Sequence, residues 1–317
     1  MRPLIAALAL ACTSALAQDY PSRPVRIIVP LPAGSTTDLV MRTTAQELAP
    51  RLKQPVVVEN KPGGNWVIGA EACRAAAADG YTLCVMNSDA IAFNPHLLSA
   101  LPYDPAKDFA PVTNLFFLFE GILGKGTLPA SNIEELRDYA AKNPGKLNFG
   151  TLGPGSSNDV FRQWLVQHWN VDIPGIPYKG GAPVITALLA GEIDVTKIGM
   201  GNVAGQLNSG KVKMLAIQGT NRSKLVPGVP TLDEAGLGAY PLRVWWSLVA
   251  PAGTPDAAVR RINAELNKLY REPKMADYLE SQFVEVAVSA PEPFAAFTRA
   301  ERERAAQVVK DFHIPRQ

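Results

Sequence analysis

Histidine and cysteine are scarce, with three of each in 317 residues. His96, His168 and His313 have no Cys, His or carboxylate at metal-ligand spacing, so neither a metal centre nor a cofactor is expected. Charge of one sign is not in excess. Thirty-one Lys and Arg stand against 29 Asp and Glu, a formal net charge of +2, and no basic run breaks the balance. Nothing in that distribution selects for nucleic acid. Past the first segment, no run of about 18 apolar residues is free of charge, so no membrane span is expected. The phosphate-binding pattern of two glycines followed by Lys and Ser/Thr is missing, as is a Gly-x-Ser-x-Gly elbow. No nucleophile–base pair stands out, and an enzyme is not expected. What is present suits a packed protein: 47% hydrophobic and 19% charged residues, with 25 Gly and 27 Pro for many short loops. The length exceeds one core, so two lobes are expected.

The first segment reads as an export signal. Arg2 supplies a positive charge, Pro3 to Thr13 is almost wholly apolar, and Ala15-Leu16-Ala17 gives a small-x-small cleavage site. Cleavage before Gln18 and a periplasmic location are the expectation. Ala9 stands three residues before Cys12 where a lipoprotein signal usually carries Leu, which disfavours a lipid anchor. Export leaves two cysteines. Cys73 falls on an expected helix and Cys84 on the following strand, and the spacing is compatible either with a disulfide or with two buried thiols.

The rest alternates. Strands are expected at Val25–Pro30, Pro55–Glu59 and Tyr81–Met86, with helices at Asp38–Arg51 and Ile68–Ala78 between them. That is a βαβαβ series, the pattern of a parallel sheet. A second series runs from a helix at Ile133–Lys142 through strands at Leu147–Thr151, Ile173–Pro177, Asp194–Ile198 and Val212–Gln218. Helices are expected at Asn158–Asn170, Pro183–Ala190 and, shorter, at Val203–Ser209. The tail adds helices at Ala257–Arg271 and Pro291–Asp311 and a strand at Val284–Val288. The expected organisation is a signal at 1–17, a first α/β lobe from 18–118 plus 248–317, and a second from 119–247. Two apolar strands, Ala110–Phe119 and Leu242–Ala250, would cross between them and form a hinge.

Two loops repeat each other. Gly34-Ser35-Thr36-Thr37-Asp38 follows the first strand, and Gly155-Ser156-Ser157-Asn158-Asp159 follows the strand ending at Thr151. The first N–H groups of a helix point outward with partial positive charge, and Gly lets an anion come close. Ser and Thr there are ordinary helix caps. Their recurrence at strand ends, where α/β proteins bind ligands, points instead to a carboxylate held from both lobes. Asp38 and Asp159 would repel an anion and are expected to turn back onto loop amides.

At this point the chain resembles a known family. Tyr20-Pro21-Ser22-Arg23-Pro24-Val25-Arg26-Ile27-Ile28-Val29-Pro30, Gln54-Pro55-Val56-Val57-Val58-Glu59-Asn60-Lys61-Pro62-Gly63 and Asp79-Gly80-Tyr81-Thr82-Leu83 carry the likeness. So do Leu101-Pro102-Tyr103-Asp104-Pro105, Asn143-Pro144-Gly145-Lys146-Leu147, Pro177-Tyr178-Lys179-Gly180 and Pro251-Ala252-Gly253-Thr254-Pro255. These stretches are similar to the Bug receptors, the TctC-like solute receptors of tripartite tricarboxylate transporters. The resemblance implies a two-lobed periplasmic-binding-protein fold of the Venus-flytrap kind, with two Rossmann-like α/β lobes joined by two crossing strands. It implies that the protein binds a small dicarboxylate, tricarboxylate, amino acid or aromatic acid and passes it to membrane permease subunits. The alternative is a module that signals to a membrane sensor kinase. A monomer is expected.

The family's ligand loops carry over to Leu31, Ala33, Gly34, Ser35, Thr36, Thr37 and Asp38, and to Gly153, Gly155, Ser156, Ser157 and Asn158. Asn87 and Ser88 after the third strand, with Gly199 and Asn202 after the strand ending at Ile198, are expected to face the same cleft. Three positions depart from the family. Leu31 replaces a frequent aromatic, Ser35 a usual Gly and Asp159 a common His. Trp66 is bulky for its place and is expected to narrow the cleft.

Overall fold

A computed structural model describes residues 20–207, 209–219, 221–238 and 240–316. The proposed signal, at 1–17, lies outside the described residues. In chain order the first elements are β1 (Val25–Val29), α1 (Thr36–Leu52), β2 (Val56–Asn60), α2 (Val67–Arg74) and β3 (Thr82–Asn87). A π-helical turn at Asp89–Phe93 leads into the short α3 (Asn94–Leu97). Then come β4 (Phe109–Leu118), β5 (Glu120–Lys125), α4 (Ile133–Lys142), β6 (Phe149–Thr151), α5 (Ser157–Trp169), β7 (Gly175–Pro177), α6 (Gly181–Ala190) and β8 (Val195–Gly199). The chain ends with β9 (Val212–Gln218), β10 (Trp245–Pro251), α7 (Asp256–Leu269), α8 (Pro273–Ser281), β11 (Val284–Val286) and α9 (Pro291–Asp311).

The strands form two sheets. One is six-stranded, in the order β11-β4-β10-β3-β1-β2, and the other five-stranded, β7-β6-β8-β5-β9. In the first, β2, β1 and β3 are parallel, and β10, β4 and β11 run antiparallel to their neighbours. β3 lies inside the sheet between β1 and β10, which is why it reads as a continuous run, Thr-Leu-Cys-Val-Met-Asn, with every residue buried. α7 and α9 return from the end of the chain to pack on β4. Each sheet with its helices makes one α/β lobe of a two-lobed fold.

The connection between lobes is short. β4 ends at Leu118 in the first sheet, and after Phe119 alone the chain enters β5 of the second. There the Leu118 N–H donates to Val244 O at 3.0 Å, the Phe119 N–H to Phe283 O at 3.0 Å, and the Met200 N–H to Phe119 O at 2.8 Å. The returning segment, between β9 and β10, passes the same point.

Three local expectations are corrected. β5 was not expected, because Gly121 and Gly124 weaken its strand pattern. Both are needed for packing: a side chain on Gly121 would strike Met200, and one on Gly124 would strike Leu128. Val203–Ser209 is not a helix. A 3₁₀ turn at Ala204–Gln206 stands there, after another at Met200–Asn202, as Gly201 and Gly205 lower helix propensity. α8 was also unforeseen. It starts with Pro273 at its first position, where a missing N–H does no harm.

Cys73 on α2 and Cys84 on β3 form a disulfide, with both residues fully buried. It fastens the helix to the strand beside the first loop's own strand, β1.

Candidate functional site

The twin loops have nearly the same geometry. Gly34 and Gly155 have φ of 85° and 74°, the left-handed region that favours glycine. The next residues, Ser35 and Ser156, are the N-caps of α1 and α5, with φ, ψ of −68°, 156° and −66°, 155°. As expected, both aspartates turn back. The Gly34 N–H donates to Asp38 Oδ2 at 2.8 Å, and the Gly155 N–H to Asp159 Oδ2 at 3.1 Å. Arg42 Nε and Arg162 Nε then hold those carboxylates from outside, at 2.9 and 2.8 Å. Burial alone would raise the Asp38 carboxyl. Hydrogen bonds from Arg42, Asn60 and the Gly34 amide outweigh it and keep the group below the usual carboxylate range.

The loops differ in what remains free. Ser35 Oγ accepts from the Asp38 N–H at 3.3 Å in the usual cap manner. The N–H groups of Thr36 and Thr37 have no acceptor among the described residues. In the second loop Ser156 Oγ lies 2.6 Å from Gly153 O and 2.7 Å from Asn158 Oδ1, and its one hydrogen is shared between these two acceptors. Asn158 Oδ1 also accepts from the Leu152 N–H, and Thr151 Oγ1 from the Gly153 N–H. The Ser157 N–H donates across the cleft to Asp89 Oδ2 at 3.1 Å.

Asp89 follows β3 in the first lobe and is fully buried. Its Oδ2 also accepts from Trp66 Nε1 at 3.1 Å, and its Oδ1 from Ser88 Oγ at 3.3 Å. Burial pushes its carboxyl up to about 6, against the pull of the Ser157 and Trp66 donors and with a smaller push from Glu120. Glu120 opens β5 and pairs with Lys197 of β8, both nearly without exposure. The Lys197 ammonium lies 5.3 Å from the centre of the Phe161 ring and 5.6 Å from that of Tyr240.

Beside these groups, between the lobes, lies an inner cavity of about 60 Å³. Of the residues expected at the site, Leu31, Ser35, Thr36, Thr37, Asn87, Ser157, Gly199 and Asn202 line it. Leu31 and Gly153 face a wider outer cleft of about 800 Å³ that shares Trp66 and Leu152 with the inner cavity. Ala33 and Gly34 are exposed at the loop tip. Asp38, Ser88, Gly155, Ser156 and Asn158 serve as internal hydrogen-bond partners of the loops and of Asp89.

Sequence reasoning missed Asp89, and it missed Glu120 and Leu118 in the cavity wall. A signal existed for one pair: Glu120 and Lys197 are single charges inside apolar runs, and buried charges need partners. Trp245 and Trp246 point to opposite sides of β10. Trp245 is core, its Nε1 donating to Glu301 at 3.1 Å. Trp246 lines the cavity edge-on to Trp66, their ring centres 5.7 Å apart. Its Nε1 and Thr36 Oγ1 are both buried without a hydrogen-bond partner among the described residues. Such groups are costly in an empty protein and are satisfied when a ligand brings acceptors.

Comparison with known proteins agrees with this geometry. A family model described as "Tripartite tricarboxylate transporter family receptor" matches residues 40–314. The chain is similar to the periplasmic binding protein BugD, with 32% identity, a TM-score of 0.87, and 94% of this chain and 100% of that one covered. It is similar to an R. palustris protein solved with adipate, at 28% identity and a TM-score of 0.90 over 94% and 100% of the two chains. MatC from Rhodopseudomonas palustris, solved with malate, shows 31% identity and a TM-score of 0.84 over 92% and 100%.

Proposed function

From a chain that belongs to the tripartite tricarboxylate transporter receptor family, we infer a periplasmic receptor for a small carboxylate-bearing metabolite, which it delivers to permease subunits of that transporter type. The family is one of solute receptors rather than enzymes, and its solved members include periplasmic binding proteins. The observation that carries the reading is the open N-terminus of α1. It faces an interlobe cavity in which Thr36 Oγ1 and Trp246 Nε1 have no partner among the described residues. Oriented amides and neutral donors hold a carboxylate without a basic side chain. The homologous receptors solved with adipate and malate support a carboxylate ligand.

In this reading the lobes are the expected 18–118 plus 248–317 and 119–247, with the second boundary moved to about residue 245 because Trp245–Ser247 pair with β3 and β4 in the first sheet, and closure turns about Phe119 and the segment returning to β10. Residues 1–17 are removed on export, so sequencing the N-terminus of periplasmic material should start at Gln18.

Ligand-stripped protein should be screened by thermal shift against organic acids. A ligand at about 100 times its dissociation constant stabilises the folded state by about 2.7 kcal/mol, a shift of a few degrees at this size. A selective shift with acids, and no turnover of them, is the expected result. A folded protein that responds to no acid would overturn the reading.

A further inference from the structure

We propose that Asp89 is a built-in anion that fills the second of the two helix ends, so that the site takes ligands with a single carboxylate and an apolar body and rejects dicarboxylates. The inference deepens the carboxylate-receptor reading and rests on it.

The twin loops set the comparison. Their backbones agree closely, so each helix could present its first N–H to a ligand. Only one does. At α1 the Thr36 N–H is free and the Thr36 hydroxyl beside it is buried without a partner. At α5 the equivalent Ser157 N–H already donates to Asp89. That carboxylate comes from the opposite lobe, as a ligand's would, and is fully buried with two further donors, Trp66 Nε1 and Ser88 Oγ. A group so fully supplied is not displaced easily.

Charge points the same way. Among the described residues the inner cavity has no Lys, Arg or His in its wall, and one acid, Glu120, faces it. Lys197, the cation close by, is engaged by Glu120. A second carboxylate held within the inner cavity would be desolvated near Glu120 and Asp89 with no free cation among the described residues of that wall, an arrangement that strongly disfavours the ionised form. The remaining wall suits hydrocarbon: Leu31, Leu118, Ile198 and Val244 with the two indoles. The inner cavity alone holds only a few non-hydrogen atoms, since one water needs about 10–15 Å³ of such space. A longer tail has the outer cleft ahead of it, where half-exposed Ile68 lines the wall with Pro30 and Pro62; Lys179 also lines it but is exposed to solvent, so it holds a second carboxylate only weakly.

The test is calorimetry with matched pairs, butanoate against succinate and hexanoate against adipate. Wild-type protein is expected to bind each monoacid at least tenfold more tightly than its diacid. Asp89→Ala, which empties the second helix end, should reduce that preference at least tenfold. Asp89→Asn keeps an acceptor on Ser157 and removes the charge, so it should reduce the preference by less. Melting curves identify which variants fold, and the wild-type ratio stands whether or not they do. Diacids that bind the wild type as tightly as monoacids overturn the inference and leave the carboxylate reading intact, as does an unchanged preference in folded Asp89→Ala. Binding of neither kind of acid overturns both.

Discussion

Gly201 and Thr36 meet across the cleft with no room for a methyl group between them. A Cβ on Gly201 would fall 2.6 Å from both Cγ2 and Oγ1 of Thr36, and 2.8 Å from the carbonyl oxygen of Gln282. Gly201 belongs to the lobe of β8, and the other two to the lobe of β1. Gly201→Ala should therefore hold the lobes apart. Overpacking of this kind typically costs about 1–3 kcal/mol, and here the cost falls on closure. Ligand affinity should drop between about fivefold and a hundredfold, with the unliganded melting temperature little changed. Small-angle scattering with saturating ligand should show a larger radius than wild type. Wild-type affinity would show that the contact does not limit closure.

The pairing of Glu120 with Lys197 supplies a second test. Removing one member of a buried ion pair leaves an uncompensated charge and costs about 3–5 kcal/mol. Lys197→Met should lose about that much in denaturant unfolding. Glu120→Gln with Lys197→Met should recover most of it, because no lone charge remains. Equal losses in the single and double variants would assign the effect to packing of Lys197 on Phe161 and Tyr240.

Much of this was legible in the chain, for physical reasons that also mark the limits. β1, α1, β2 and the α5 loop obey local rules of apolar period, glycine turn and hydroxyl cap, and a glycine–hydroxyl loop occurring twice is visible without a structure. Asp89 obeys no local rule. Its partners Ser157 and Trp66 are 68 and 23 residues away, so only the fold reveals that it fills a helix end. β5 was hidden likewise, because its glycines answer to Met200 and Leu128 rather than to strand propensity. Neighbouring Trp245 and Trp246 look equivalent in sequence. Strand alternation sends one to the core and the other to the cavity.

The disulfide offers a stability prediction. Cys73 and Cys84 are 11 residues apart and join α2 to β3. Closing a loop of this size stabilises by about 2–3 kcal/mol in the chain-entropy account. Changing both cysteines to Ala should lower stability by that order and shift the melting temperature down by several degrees. Ligand affinity should change little, since neither cysteine lines the cleft. A thiol titration of unfolded, unreduced protein should find neither residue free, and two free thiols there would contradict the bridge.

Asp89 predicts a pH dependence whose sign is opposite to that of most carboxylates. Its carboxyl is raised from 3.8 to about 6 by burial, so the folded protein binds this proton more tightly than the unfolded chain. The stabilisation it contributes is complete below about pH 4 and is lost as pH rises through about 6. A rise of that size is worth about 3 kcal/mol at most. Asp38, Glu59 and Asp104 are lowered and act in the reverse sense at lower pH, so the whole protein does not isolate the effect. The difference between wild type and Asp89→Asn does. Wild type should lose stability relative to the variant between about pH 4 and 7, and a pH-independent difference would exclude the titration.

Thr36 separates binding from folding most cleanly. Its hydroxyl is buried in the cavity wall without a partner. In the empty protein that group contributes no hydrogen bond, and its burial has a desolvation cost. Thr36→Val keeps the shape and removes the polar atom, so unliganded stability should stay level or rise slightly. If the hydroxyl donates to a ligand carboxylate, the loss should be about 1.5–3 kcal/mol, the range for hydrogen bonds to charged groups. That is roughly a tenfold to hundredfold weaker dissociation constant. Thr36→Ser keeps the donor and should keep most of the affinity. A Val variant that binds as well as wild type would remove the α1 end from the ligand site, and a Val variant that unfolds would show the hydroxyl to be part of the fold.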